Sequence, residues 1–215
     1  MPASSSQIKA LLFDSEGVLR LRPADVPRGQ SRRNAIYAAI EREYGVSRKA
    51  LRAELARLGI HYEHAEQLAD LVQAPLSHLA GRAVDPRVWQ PLLGGGFIEE
   101  NIEAVRGLRP AYQTGVIANT RRVSLRFLLE HHQISDLFDV QLDSAEVGIE
   151  KPDLAIYRLA ADRLGRRPAE CLFVDDKVEN VAGAESAGML GLQYSVEDGT
   201  SLGDFLAANG FRPAS

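Results

Sequence analysis

The apolar positions of the chain follow two patterns. Short continuous runs (Ala10–Phe13, Thr114–Ala118, Val140–Leu142, Cys171–Val174 and Leu190–Tyr194) alternate with stretches whose apolar residues recur three or four apart. A continuous run reads as a strand buried on both faces of a parallel sheet, and the wider spacing as a helix. The predicted helices run from Phe97 to Leu108, with Ile98, Ile102 and Val105 inward and Pro110 beyond the end; through Val123, Leu125, Leu128 and Leu129; from about Asp153 to Leu164; through Val181, Ala184 and Ala187 to Gly188; and over Leu202–Ala208. Strands alternating with helices imply parallel pairing through right-handed crossovers. The expected fold is α/β, a doubly wound, parallel, five-stranded Rossmann-like sheet.

The alternation is interrupted once. After Leu19 come Arg20, Arg22, Pro23, Pro27 and Arg28, which read as a linker. From about Gln30 to Leu93 the signal is helical throughout. Ile36, Ile40 and Tyr44 fall on one face, Gly45 stops that helix and Ser47 caps the next. Leu51, Leu55 and Leu58 make a second stripe, and Leu68, Leu71 and Val72 a third. Asp85-Pro86 has the form of an N-cap followed by a first-turn proline. Residues 1–20 and 97–215 are therefore expected to form the core domain, with 21–96 a small all-helical insert. Pro23–Arg28 and Gly94-Gly95-Gly96 are the expected hinges.

Composition narrows the partners. A net charge of -4 leaves no basic footprint for nucleic acid. No apolar run approaches the ~20 residues that span a bilayer, so no membrane is expected. The stretch Met1–Gln7 is polar and without a hydrophobic signal core, and the single Cys171 has no partner for an internal disulfide; both point to a cytoplasmic chain. Nothing in the pattern specifies an oligomeric state.

The chemistry collects at the strand ends. Parallel strands present their C-terminal ends to one crevice, where α/β proteins hold their ligands. The first strand runs into Asp14 and Glu16, with Gly17 allowing a sharp bend. The second ends at Ala118-Asn119-Thr120, the loop after the third carries Lys151-Pro152, and the fourth runs into Asp175-Asp176. Each piece alone reads as a cap or a turn, but caps do not account for all four at successive strand ends. Clustered carboxylates call for a cation, and hard oxygen ligands favour Mg²⁺. No histidine or thiolate joins them, which disfavours zinc. Lysine beside them would neutralise charge and hold an anion.

These segments resemble the motifs of the haloacid dehalogenase-like hydrolases. Asp14-Ser15-Glu16-Gly17-Val18 is similar to the first motif, Ile117-Ala118-Asn119-Thr120 to the second, Gly148–Asp153 to the third and Val174–Asn180 to the fourth, in the family's order. Residues 21–96 fall where members with a helical cap carry it. The resemblance implies a Mg²⁺-dependent phosphatase acting on a small phosphorylated metabolite through an aspartyl-phosphate. Asp14 would be the nucleophile and a metal ligand with the Glu16 carbonyl and Asp176. Asp175 would support the metal through water or orient Lys151, which would bridge Asp14 and the phosphate. Glu16 would serve as general acid and then base, and Asn119 and Thr120 would bind substrate.

Two positions depart from the family pattern. Glu16 stands where most family phosphatases have aspartate, and Ala118 where a hydroxyl residue usually donates to phosphate; Thr120 is expected to recover part of that donor. A catalytically weak binding or regulatory module and a haloacid dehalogenase stay open as alternatives. His61, Tyr62, Glu63 and His64 read as a solvated helix face, Trp89 as core of the insert, and Arg20, Arg22, Arg32 and Arg33 as surface linker charge.

Overall fold

The computed structural model describes residues 7–20, 32–59, 67–85, 96–120 and 125–213. The chain divides into two compact units, one of residues 1–22 and 97–215 and one of 23–96.

The larger unit is built on β1 (Ala10–Phe13), β2 (Gln113–Ala118), β3 (Val140–Asp143), β4 (Cys171–Asp175) and β5 (Leu190–Gln193), all parallel in the order β3-β2-β1-β4-β5. The strand period of two divides the apolar residues between two cores. Leu11, Phe13, Val116, Leu172 and Val174 share one core with Ile102 and Val105 of α4 (Glu99–Leu108), Leu125 and Leu129 of α5 (Leu125–His131), and Leu202 and Leu206 of α9 (Leu202–Ala208). Ala10, Leu12, Ile117, Leu142 and Phe173 share the other with Ile156, Tyr157 and Ala160 of α7 (Leu154–Arg163) and Ala184 of α8 (Val178–Ser186). The short α6 (Ser144–Val147) follows β3 directly. With helices on both faces, the sheet is doubly wound. Chain order reverses between β1 and β4, and at such a switch point the strand ends open a crevice.

The structure shifts several expected boundaries by a residue or two. β4 takes in Asp175 as its last residue, and α4 begins at Glu99 because Phe97 instead forms a β-bridge with Arg20. Val123 lies outside the described residues.

The second unit contains α1 (Arg32–Tyr44), α2 (Arg48–Arg57) and α3 (Gln67–Ala80), with no strand among its described residues. Gly45, at φ 69°, ends α1, and the Ser47 hydroxyl accepts from the Ala50 amide to cap α2. Ile40, Leu51, Leu55, Val72 and Leu76 are fully buried or nearly so. Leu58 corrects the expected stripe. The helix stops at Arg57, and Leu58, on the C-cap, is exposed where Leu51 and Leu55 are buried. Pro23–Arg28, His61–His64, Pro86, Trp89 and Gly94-Gly95 lie outside the described residues. So do the side chains of Ile36, Leu68 and Leu71. No helix among the described residues is long and apolar enough to cross a membrane.

Candidate active site

The neighbouring ends of β1 and β4 place the carboxylates. Asp14 follows β1, and its amide donates to the Val174 carbonyl of β4 at 2.8 Å, so the two strand ends are stitched together where the acids emerge. Asp14, Asp175 and Asp176 are all buried, and one oxygen from each lies within 4.8 Å of the others.

Lys151 reaches this cluster from the loop after β3. Its buried ammonium donates to Asp14 Oδ1 at 2.5 Å and to Asp175 Oδ2 at 2.8 Å, and lies 5.3 Å from the Phe173 ring centroid. The Lys151 backbone is held by Asn119, whose side-chain amide donates to the Lys151 carbonyl at 2.8 Å and accepts from its N–H at 2.9 Å. On the other side, α8 closes on Pro152, and a Cβ at Gly183 would stand 2.7 Å from the Pro152 carbonyl oxygen.

Asp175 is the most heavily engaged acid. Besides Lys151 it accepts from the Lys177 amide at 2.9 Å and, on both oxygens, from the Asn180 side chain at 3.0 Å. Asn180 lies in the first turns of α8, four residues after Asp176. That spacing was the available signal for its part in the site, and the sequence reading gave it none.

Glu16 lies on a tight loop outside the carboxylate cluster. Gly17 takes φ 84°, and the Ser15 carbonyl accepts from both Leu19 and Arg20 amides. This loop pairs the Glu16 carboxylate with the Arg20 guanidinium. Arg20, expected as surface linker charge, is instead only 7% exposed, because its backbone bridges Phe97 and carries the side chain inward.

Thr120 is engaged at the end of β3. Its hydroxyl donates to Asp143 Oδ1, and its amide to the Ser144 hydroxyl at 3.1 Å. Asp143 is itself buried and accepts from the Leu125 amide that opens α5 and the Ala145 amide in α6. The Thr120 hydroxyl is therefore engaged in holding the β3 end. Ala118 packs into the apolar core with Phe13 and Leu125.

Three buried carboxylates gathered at one buried ammonium form an oxygen donor set that suits a divalent cation. The strain shows at Asp14, whose carboxyl is lifted to about 6, first by burial and further by Asp175, with Lys151 pulling the other way. Burial presses Lys151 down, but Asp14 and Asp175 more than offset it and hold the ammonium above its ordinary range.

A pH dependence follows. Between the ordinary 3.8 and about 6 the folded protein holds a proton on Asp14 that the unfolded chain releases. The Asp14 contribution to stability therefore falls as pH rises through that window. A cation at the cluster removes this loss. The rise in Tm produced by Mg²⁺ over a chelator is expected to be larger at about pH 7 than at about pH 5. An equal rise at both would take Asp14 out of the cation site.

The family model of haloacid dehalogenase-like hydrolases matches residues 8–188. The chain belongs to that family. A glyceraldehyde 3-phosphate phosphatase of Methanopyrus kandleri is 30% identical over 193 residues, covering 85% of this chain and 82% of the relative. A sesquiterpene phosphatase of Aspergillus oryzae is 46% identical over 68 residues, which is 32% of this chain, and the matched part spans 35% of that protein's length. The fold is also that of a haloacid dehalogenase-family enzyme of Bacteroides thetaiotaomicron, crystallised with magnesium and inorganic phosphate. Its TM-score is 0.57 at 18% identity, over 92% of this chain and 98% of the other.

Proposed function

We propose that this hydrolase is a phosphatase that cleaves a small phosphorylated metabolite through a phosphorylated Asp14, with Mg²⁺ as its cation. The observation that carries the reading is Lys151 donating at once to Asp14 and Asp175 beside Asp176. The phosphatase relatives support it.

In this reading the Asp14 carboxylate attacks phosphorus while Lys151 keeps it ionised and meets the phosphate oxygens. Asp175 and Asn180 aim the lysine. Asp14, Asp176 and the Glu16 carbonyl would hold the cation, which when bound supplies positive charge against the phosphate oxygens. Glu16 protonates the departing oxygen, then takes a proton from the water that hydrolyses phospho-Asp14. Little further covalent help is needed, because phosphoryl transfer rests mainly on positioning and charge stabilisation. The helical unit of residues 23–96 serves as a cap that favours small substrates. Release of inorganic phosphate from p-nitrophenyl phosphate, with Mg²⁺ and with excess chelator, tests the reading; equal release in both would remove the metal.

A second reading, a weakly catalytic binding module, is favoured by one observation. Ala118 offers no hydroxyl at the end of β2, and that of Thr120 is engaged by Asp143. Magnesium-dependent turnover of the aryl ester would exclude it. Thr120→Val is then expected to lower stability by about 1–3 kcal/mol, through the donor lost to buried Asp143, while kcat/KM changes less than about 3-fold. A large loss of kcat/KM at unchanged Tm would instead make Thr120 a phosphate donor.

A further inference from the structure

We propose that Arg20 is a positioning residue that holds Glu16 in place for its acid and base steps; the inference rests on the acid–base reading of Glu16 given above. The pair is asymmetric. The Glu16 side chain is 42% exposed, whereas that of Arg20 is 8% exposed. The arginine is the anchored member, and the glutamate is the end free to meet a substrate.

The anchor is built into the backbone. Ser15 O binds the Leu19 and Arg20 amides at 3.0 and 2.9 Å, and the Gly17 amide donates to the Arg20 carbonyl at 2.7 Å. Glu16 and Arg20 face each other across a β-bridge, and Arg20 forms a second bridge to Phe97. The loop is fastened from outside as well. Asn101 donates to the Val18 carbonyl at 2.7 Å, the Ile98 amide to the Leu19 carbonyl at 2.8 Å, and the Val196 amide to the Gly17 carbonyl at 3.3 Å. The guanidinium therefore hangs from a hydrogen-bonded backbone frame three residues past Gly17 and six past Asp14.

Glutamate is what makes such an anchor useful. A half-exposed glutamate has three side-chain torsions, and its rotamer freedom must be given up before the carboxyl can meet a leaving group. A charged, planar donor fixed on one side selects the rotamers that keep contact with it. As a contribution to stability alone, an ion pair with one member this exposed is worth little.

The test uses Arg20→Met, Arg20→Lys, Glu16→Gln and the Met/Gln double variant, each assayed for kcat/KM with Mg²⁺. Two substrates are compared: glycerol phosphate, whose leaving group needs a proton, and p-nitrophenyl phosphate, whose leaving group does not. Arg20→Met is expected to lower kcat/KM about 10-fold or more on the alkyl ester and less than about 2-fold on the aryl ester. Arg20→Lys should recover most of the loss, and Arg20→Met should add nothing in the Glu16→Gln background. Equal losses on both esters, or a full additional loss in the Glu16→Gln background, would overturn the proposal by making Arg20 a general support of the loop. Arg20→Met matching the wild type while Glu16→Gln is impaired would overturn it alone. Glu16→Gln matching the wild type on both esters would overturn the acid reading, and this inference with it. Should Arg20→Met not fold, the lysine variant decides: a loss of kcat/KM on the alkyl ester that exceeds the loss on the aryl ester supports the anchor, and an equal loss on both overturns it.

Discussion

Asp14→Asn is expected to lower phosphate-ester turnover by at least about 10⁴-fold, as loss of a covalent nucleophile does. The amide keeps the shape of the carboxyl and can still accept from Lys151, so the β1 end and the Asp14 N–H bond to Val174 should stay intact. What disappears is the charge that attacks phosphorus. Stability should move the other way. Burial makes ionisation of Asp14 unfavourable, so in chelator near neutral pH the variant should melt no lower than the wild type, and above it if the carboxylate there is unrelieved. A variant that retains turnover would exclude Asp14 as nucleophile. One that melts far lower would make Asp14 a structural residue first.

Lys151→Met is the second large effect. Methionine is close in length and apolar, so it fills the space beside Phe173 without replacing the ammonium. Asp14 and Asp175 then stand buried without the ammonium they shared, and breaking a buried pair from one side costs about 3–5 kcal/mol. In chelator the Tm should fall accordingly. Added Mg²⁺ should restore part of the stability, because the cation meets the same carboxylates, but turnover should stay down by about 10³-fold or more for want of a fixed donor to the phosphate. Circular-dichroism melts with and without Mg²⁺, beside steady-state rates, check both halves. Unchanged stability in chelator would mean the two bonds from Lys151 do not carry the charge balance ascribed to them.

The sheet was legible because its strands are continuous apolar runs separated by helical spacing, a pattern that survives without tertiary information. The convergence of Asp14, Lys151, Asp175 and Asp176 was legible for a related reason. Parallel topology sends each strand end to one edge, so the residue after an apolar run is placed by the fold class alone. Arg20 was not legible, since only the bridge to Phe97, far along the chain, turns a residue beside a proline-rich stretch into a buried one. Thr120 shows the same limit. Its position at a strand end suits a donor, but its hydroxyl is taken by Asp143, a residue of the neighbouring strand. Leu58 was not legible as exposed either, because helical spacing from Leu55 gives a face but not what covers it past the last turn at Arg57.

Transfer of the phosphoryl group to Asp14 is tested by intact-mass measurement of the Glu16→Gln variant. Mixed with p-nitrophenyl phosphate and Mg²⁺, this variant should accept the phosphoryl group, because the leaving group needs no proton, and release it slowly for lack of a base. The expected result is a mass increase of one phosphoryl group that maps to Asp14 and is lost when Asp14→Asn is added. Continued turnover with no phosphorylated protein, or a phosphoryl group mapped to another residue, would contradict it.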